Sequence, residues 1–182
     1  KYDGMLKKLT FLNGGRPLML KSPDNTARVR LLRELYPDAK FVNIYRDPYT
    51  VIRSTIHLYQ KMLPTWTVET LPDEETLEDW IIQTFEKMYR KFFEERKALG
   101  PDTLYEIRFE DFEKDPLAAL RDMYEALRLE GFLQAQPAFE RHFESQSGYK
   151  KNEFDYSERL IRKVNERLGF YFEHYGYEMR QK

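Results

Sequence analysis

An arginine and a serine eight residues apart could together bind a charged ligand. Arg46 follows the apolar run 41–45, and Ser54 lies about two helical turns after Pro48, a typical first helical residue. A guanidinium is planar, permanently charged and suited to phosphate oxygens, and a helix hydroxyl can bind the same anion from a second side. The spacing therefore predicts an anion site. The alternative is that Asp47 only caps the helix and Arg46 is a surface charge.

A second basic residue follows an earlier apolar run. Lys21 comes directly after residues 17–20, which we predict to be a buried strand. A helical pattern at 27–35 separates this run from 41–45, so the three elements form a predicted βαβ unit with parallel strands. Ligands of such domains bind beyond the carboxyl ends of the strands. Lys21 and Arg46 are therefore predicted to lie on the same ligand side, which favours the anion-site hypothesis.

The rest of the pattern predicts a three-layer α/β domain with a central parallel sheet flanked by helices. A third strand is expected at 103–107. Helices are expected at 48–62, 74–99, 116–127, from Pro137 onward and at 158–168. Two loops are expected between them, at 63–68 and 148–152, and Trp66 of the first loop either packs on the protein or lies exposed at a substrate entrance. No repeat or linker divides the chain, so residues 1–182 are interpreted as one domain.

Composition narrows the classes of function. The chain has 182 residues, no cysteine and three widely spaced histidines, which excludes thiolate chemistry in this stretch and argues against a metal centre. No apolar run approaches a membrane span and no signal-peptide pattern is present, so a cytoplasmic location is expected. The net charge is +7 over residues 1–61, −10 over 62–144 and +2 over 145–182. The basic first third fits an anionic ligand or a solvated surface. The net charge of the whole chain is −1, which argues against nucleic acid as a partner.

Several short motifs together resemble the sulfotransferases that use 3′-phosphoadenosine 5′-phosphosulfate (PAPS), especially the bacterial and carbohydrate-type branch. Each motif is weak alone, but their order and spacing make the resemblance specific. They are Leu20-Lys21-Ser22-Pro23, the segment 36–42, Arg46-Asp47-Pro48 with Ser54, Arg108-Phe109-Glu110-Asp111-Phe112 followed by Asp115-Pro116, and Tyr175-Gly176-Tyr177. The resemblance implies a P-loop-NTPase-like fold and transfer of a sulfuryl group from PAPS to a hydroxyl or amine.

The resemblance also implies roles for individual residues. Arg46 and Ser54 would bind the 3′-phosphate of PAPS, in agreement with the anion site inferred from their spacing. Lys21 would lie near the bridging oxygen and stabilise the charge that develops on the leaving group, without a metal. Lys150 and Lys151 would belong to a basic loop that closes over the same 3′-phosphate, or to a solvated turn.

One expected feature of that family is missing from this sequence. Nothing before Lys21 matches the glycine- and hydroxyl-rich loop that wraps the 5′-phosphosulfate, so we interpret the chain as the C-terminal portion of a longer enzyme. Neither Asp24 nor His57 is assigned as the general base. The acceptor stays open among small molecules, carbohydrates and lipids, as does the oligomeric state. Two other functions remain possible at this point: a P-loop small-molecule kinase and a non-catalytic binding module on the same fold.

Overall fold

The computed structural model describes residues 2–66, 72–146, 148 and 154–181. Helices dominate the described chain, and two strands form a small sheet. The elements are α1 (Tyr2–Leu12), a 3₁₀ turn (Pro23–Ala27), α2 (Val29–Leu35), β1 (Phe41–Tyr45), α3 (Pro48–Trp66), α4 (Glu74–Glu95), a second 3₁₀ turn (Arg96–Ala98), β2 (Leu104–Arg108), α5 (Phe109–Lys114), α6 (Pro116–Ala126), α7 (Phe132–Gln146) and α8 (Glu158–Tyr175). None of the helices in this part of the chain is long and apolar enough to cross a bilayer.

The two strands pair in parallel, so they end at the same edge of the sheet. Phe41 lies opposite Leu104, and Tyr45 lies opposite Arg108. The connection from β1 to β2 runs through α3 and α4, as parallel pairing requires a crossover. The carboxyl ends of β1 and β2 therefore bring the turn at Arg46 next to the segment that follows Arg108.

Helices lie against both faces of this sheet. On one face, Tyr45 of β1 stacks on Tyr175 of α8, with ring centroids 3.9 Å apart. On the other face α6 contacts β2. Tyr105 of β2 is partly buried there near Asp122 of α6, and both the burial and the charge of Asp122 raise the pKa of Tyr105. The sheet is consequently the middle layer of three.

The main core is formed by α3, α4 and α8. Apolar side chains recur every three or four residues along each helix, which gives each one a single buried stripe. The members include Tyr49, Ile52 and Ile56 of α3, Leu77, Ile81, Phe85 and Phe92 of α4, and Leu160, Val164, Leu168 and Phe172 of α8. Each such side chain contributes about 1.5–3 kcal/mol through burial, so this core fixes α3 in place.

A buried polar network joins the sheet to α8. Glu106 of β2 accepts hydrogen bonds from the Asn43 side-chain amide at 2.9 Å and from the Tyr175 hydroxyl at 2.7 Å. Its other oxygen lies 2.6 Å from a guanidinium nitrogen of Arg96. Since buried polar groups are costly unless paired, this network specifies how the strand ends meet α8.

The structure corrects the prediction for residues 17–20. This run is not a strand, and Met19 within it is 96% exposed. A strand needs a partner to satisfy its backbone groups, and β1 pairs within the described chain with β2 alone. The predicted βαβ unit from 17 to 45 is therefore wrong, whereas the strands predicted at 41–45 and 103–107 are confirmed to within one residue.

Several predicted helix boundaries also move. Residues 63–66, predicted as loop, continue α3 through Pro64, which has no N–H to donate within the helix. Trp66 there is 71% exposed, so of its two alternatives the one in which it packs on the protein is wrong, and residues 67–68 lie outside the described residues. α7 begins at Phe132 rather than Pro137, with the Phe132 ring packed on Tyr124. α8 continues past a kink at Leu168 to the left-handed cap Gly176.

Candidate anion-binding site

The turn between β1 and α3 is held by the hydroxyl of Tyr171, a fully buried residue of α8. This hydroxyl donates a hydrogen bond to the Arg46 carbonyl at 2.9 Å and accepts one from the Arg46 backbone N–H at 3.3 Å. Burial is the main cause that raises the pKa of Tyr171, so the hydroxyl keeps its proton. Both backbone groups of Arg46 are thus bound by a rigid core residue.

Glu110, at the start of α5, holds the next residue of the same turn. Its Oε1 accepts a hydrogen bond from the Asp47 backbone N–H at 3.2 Å, and its Oε2 accepts one from the Tyr177 hydroxyl at 2.7 Å. Arg108 donates to Oε2 at 3.3 Å. One carboxylate therefore joins three segments that are far apart in the sequence.

The protonation of Glu110 follows from these contacts. Partial burial alone would raise the pKa of its carboxyl. The hydrogen bonds from Tyr177 and Asp47 and the charge of Arg108 outweigh that effect, so the pKa of Glu110 lies below its ordinary value. At neutral pH the group is a carboxylate and can accept all of these hydrogen bonds.

Asp47 begins α3 in the way that the sequence predicted. Its side chain accepts a hydrogen bond from the Thr50 backbone N–H at 2.8 Å, which is the geometry of an N-terminal cap. Such a cap stabilises a helix by about 1 kcal/mol. It does not exclude an anion site, because the cap uses Asp47 and leaves the guanidinium of Arg46 unused.

The Arg46 guanidinium lies over the face of Phe109, 4.2 Å from the ring centroid. The residue is half-buried, and among the described residues no carboxylate lies within ion-pair distance of it. An aromatic face attracts a cation but supplies no hydrogen-bond acceptor oxygen. The guanidinium is thus oriented by the ring, and no carboxylate of the described residues pairs with it.

Ser54 lies on α3 about two turns beyond Arg46 and is exposed. Thr50 precedes it by one turn on nearly the same line of the helix, and the Thr50 hydroxyl hydrogen-bonds the Tyr156 hydroxyl at 3.1 Å. The structure therefore places Arg46 immediately before the helix that carries Ser54. Their joint action on one anion stays a prediction.

Lys21 is located on a different element. It is exposed and precedes the 3₁₀ turn at Pro23–Ala27, which packs against α4. Because the run before it is not a strand, the argument that Lys21 leaves a neighbouring strand on the ligand side no longer holds. Its assignment now depends on the family resemblance.

The other predicted candidates divide into two groups. Lys150 and Lys151 lie outside the described residues, and their role stays a prediction. The side chain of Asp24 lies 3.9 Å from that of Arg28, and the ring of His57 lies 5.6 Å from that of Phe154. Neither observation gives Asp24 or His57 the role of a general base.

A groove elsewhere on the surface is separate from this site. It lies between α1 and Tyr36, has a volume of about 590 Å³, and is lined by residues that include Leu6, Thr10 and Phe11. None of Arg46, Ser54 and Lys21 lines it. In the part of the chain that the structure describes, no three His, Cys, Asp or Glu side chains are grouped as a metal site would need.

Sequence comparison identifies the family. The model of the sulfotransferase family matches residues 4–133, which is most of the chain. The chain belongs to the sulfotransferase family. This result confirms the resemblance inferred from the motifs, and it disfavours the kinase alternative.

Two curated sulfotransferases are close relatives. Both are described as omega-hydroxy-beta-dihydromenaquinone-9 sulfotransferase Stf3, one from Mycobacterium bovis and one from Mycobacterium tuberculosis. Each is 33% identical to this chain over 163 residues, covering 90% of the chain and 42% of the relative. This sulfotransferase chain therefore spans less than half the length of the curated relatives it matches.

A solved structure has the same fold. Sulfotransferase STF9 from Mycobacterium avium superposes with a TM-score of 0.74 at 16% identity, covering 92% of this chain and 44% of that one. At this identity the likeness shows the fold alone. Together with the helices on both faces of the parallel sheet, it confirms the predicted three-layer α/β fold of the P-loop type.

The sequence interpretation missed the residues that hold the turn at Arg46 and Asp47. Glu110, Tyr171 and Tyr177 were not assigned any role, although two of them lie in motifs that carried the resemblance. The hydrogen bonds of Tyr171 and Glu110 to this turn join residues 125 and 63 positions apart, and the bond between Glu110 and Tyr177 joins residues 67 positions apart. No local periodicity marks such partners, so only the motif order hinted that these segments meet.

Proposed function

We propose that this chain contributes the 3′-phosphate site of a sulfotransferase, which transfers the sulfuryl group of PAPS to a hydroxyl or amine acceptor. The proposal depends mainly on the environment of Arg46. Its half-buried guanidinium has no carboxylate partner among the described residues, and its backbone is bound by Tyr171 at the carboxyl end of β1. Because the chain belongs to the sulfotransferase family, we assign to this guanidinium an adenine nucleotide that carries a 3′-phosphate.

Arg46 and Ser54 fit the chemistry of that phosphate. A guanidinium donates charge-assisted hydrogen bonds to two phosphate oxygens, and a serine hydroxyl donates one more. Phe109 holds the guanidinium from its other face, which limits the conformations that it must give up on binding. The role of Lys150 and Lys151 on the same phosphate remains a prediction.

Lys21 is proposed as the residue that assists the transfer itself. In the transfer the bond from sulfur to the phosphate oxygen of PAPS breaks and a bond to the acceptor oxygen or nitrogen forms in line, and the acceptor's proton passes to a base or to solvent. Negative charge accumulates on the departing phosphate oxygen, and an ammonium beside that oxygen stabilises it. Lys21 is exposed, so its Nζ is free of the core.

For the acceptor we propose a lipid that ends in a hydroxyl. The mycobacterial relatives are named as sulfotransferases of an omega-hydroxylated dihydromenaquinone. At 33% identity over most of this chain, an acceptor of the same chemical class is the first one to test. Carbohydrates and small phenols are the competing acceptors. A cytoplasmic location and the oligomeric state remain open.

Calorimetric binding of nucleotides to the complete protein tests the cofactor assignment. We expect 3′,5′-adenosine bisphosphate to bind at least 100-fold more tightly than ADP, because two charge-assisted hydrogen bonds to the 3′-phosphate are worth about 3 kcal/mol or more together. Arg46→Ala should remove most of this preference. Arg162→Ala, which changes an exposed arginine of α8, is the matched control and should leave it unchanged.

Three results would contradict the proposal or a part of it. Equal affinity for the two nucleotides would show that no 3′-phosphate site exists. A preference for the bisphosphate that survives Arg46→Ala would place the phosphate elsewhere. Binding of the bisphosphate without any sulfuryl transfer to hydroxylated lipids, carbohydrates or phenols would favour the non-catalytic binding module.

A further inference from the structure

Arg53, the residue before Ser54 on α3, has an unusual environment for a cation. Its Nη1 atom is buried and has no hydrogen-bond partner in the described part of the protein. No carboxylate there lies within ion-pair distance of its guanidinium. A buried charged donor without an acceptor is unfavourable, so such a group normally has an anion or water beside it.

The surroundings of Arg53 are aromatic. The ring of Phe154 lies 5.7 Å from its guanidinium carbon, and the same ring lies 5.6 Å from the ring of His57, one turn further along α3. Thr50, one turn earlier, contacts Tyr156 through the two hydroxyls at 3.1 Å. Residues 154 and 156 therefore lie along one side of α3 and help to exclude water from this side.

The helix geometry brings Arg53 to the same side of α3 as Ser54. With 3.6 residues per turn, Thr50, Arg53, Ser54 and His57 fall within an arc of about 100° around the helix axis. An anion above Thr50 would have the Ser54 hydroxyl on one side and the Arg53 guanidinium on the other. Arg46 enters from the start of the same helix.

Arginines elsewhere in the described chain show what Arg53 lacks. Arg90 lies over the ring of Phe170 at 4.1 Å, and its Nε is 3.0 Å from Glu86. Arg108 lies over the ring of Tyr177 at 4.2 Å, and its Nε is 3.3 Å from Glu110. Each of these arginines has both an aromatic ring and a carboxylate. Arg121 and Arg180 also lie over rings without an ion pair among the described residues, but both are exposed. Arg46 and Arg53 combine a ring, no carboxylate and partial burial, and Arg53 alone of these four has a buried nitrogen without a hydrogen-bond partner in the described chain.

We propose that Arg53 is an additional anion-binding residue of this sulfotransferase, and that its Nη1 donates a hydrogen bond to the same nucleotide phosphate that Ser54 binds. This inference rests on the proposed function, since it assigns the ligand of Arg53 to the 3′-phosphate. Phe154 and His57 shield the contact from water, which strengthens a charge-assisted hydrogen bond. The anion in turn satisfies the buried donor.

The test compares Arg53→Met and Arg53→Lys with wild type in the complete protein. The probes are 3′,5′-adenosine bisphosphate and ADP, measured by calorimetry. We expect Arg53→Met to weaken bisphosphate binding about 10- to 100-fold and ADP binding little, and Arg53→Lys to restore part of the loss. The melting temperature of the ligand-free Arg53→Met protein should stay the same or rise, because an unsatisfied buried charge is removed.

Arg90→Met is the matched control. It also removes a guanidinium from an aromatic ring, and the remaining Glu86 keeps Arg167 as a partner at 2.8 Å. Bisphosphate affinity should be unchanged in this variant.

Three outcomes would overturn the inference. Unchanged bisphosphate affinity in Arg53→Met would mean that only water satisfies Nη1. An equal loss for both nucleotides, or a clear fall in melting temperature, would mean a structural role. If one of these outcomes is found while Arg46→Ala still removes the preference for the bisphosphate, only the role of Arg53 fails. If neither variant changes binding, the proposed 3′-phosphate site itself fails.

Discussion

The hydroxyl of Tyr171 binds both backbone groups of Arg46, with its oxygen 2.9 Å from the carbonyl oxygen and 3.3 Å from the amide nitrogen. A core residue of α8 therefore sets the position at which the chain leaves β1. The side chain that we assign to the 3′-phosphate extends from this backbone position. The placement of the Arg46 backbone therefore depends on a residue 125 positions away in the sequence.

Tyr171→Phe should weaken nucleotide binding without changing any group that touches the nucleotide. The substitution leaves the Arg46 N–H and carbonyl without their partner, which should lower the free energy of unfolding by about 1–2 kcal/mol. We expect a loss of bisphosphate affinity of severalfold to tenfold. Calorimetry and chemical denaturation measure the two effects. Tyr105→Phe is the control, because the Tyr105 hydroxyl has no hydrogen-bond partner in the described chain; equal effects of the two variants would contradict the prediction.

Lys21→Met should lower kcat by about 100- to 1,000-fold while changing the KM for PAPS little, because the ammonium acts on charge that develops during transfer. The measurement is transfer of labelled sulfur from PAPS to an omega-hydroxylated menaquinone by the complete protein. Lys87→Met changes an exposed lysine of α4 and should behave as wild type. A kcat within twofold of wild type would remove Lys21 from the mechanism.

The ion pair between Glu78 and Arg159 should contribute to stability more than the surface pairs do. Glu78 is 2% exposed, and two nitrogens of Arg159 each lie 3.1 Å from one of its oxygens. Arg159→Met leaves Glu78 buried, with Lys163 at 3.8 Å as the nearest remaining cation among the described pairs. We expect a clear fall in the urea midpoint of unfolding, because Glu78 is left buried with a weaker partner. Arg162→Met, at an exposed site on the same helix, should cost less than about 0.5 kcal/mol, and similar losses for both would argue against the pair.

The pKa of Glu110 predicts a pH dependence. Since its pKa in the folded protein lies below the ordinary value of 4.5, the unfolded state binds the proton more readily. The stabilisation from this group is therefore complete above about pH 5 and is lost as the pH falls through the lowered pKa of the folded state. The difference in melting temperature between wild type and Glu110→Gln should shrink steadily from pH 6 to pH 3.

The control for this pH effect is Tyr177→Phe. It removes the hydrogen bond from the Tyr177 hydroxyl and should move the pKa of Glu110 upward. A Glu110→Gln variant whose destabilisation is the same at pH 6 and pH 3 would contradict the assignment of the effect to this carboxylate.

The sequence alone predicted the local parts of the site. The strand 41–45, the start of α3 at Pro48 and the capping role of Asp47 are confirmed. Each of these features depends on residues within a few positions of one another. The hydrophobic alternation of a strand, the fixed φ of proline and the short reach of an aspartate are all visible in a local pattern.

The strand predicted at 17–20 is wrong because a local apolar pattern gives only the tendency to form a strand. An apolar run becomes a strand only where another strand satisfies its backbone groups, and that partner cannot be inferred from the run itself. The prediction that Lys21 lies on the ligand side of the sheet depended on this strand, so it is no longer supported. The confirmed strands 41–45 and 103–107 differ in having each other as partners.

The start of α3, the motifs of the sulfotransferases and the strand before Arg46 can all be found in the order of the amino acids. The hydrogen bonds that Tyr171 and Glu110 make to the turn at Arg46 are visible only in the folded chain, as is the buried nitrogen of Arg53, which has no hydrogen-bond partner among the described residues. The physical reason is the range of the interactions. Caps and periodicities act within one or two helical turns, whereas the hydrogen bonds that fix this turn join residues 63 and 125 positions apart, and they form only once the core has packed.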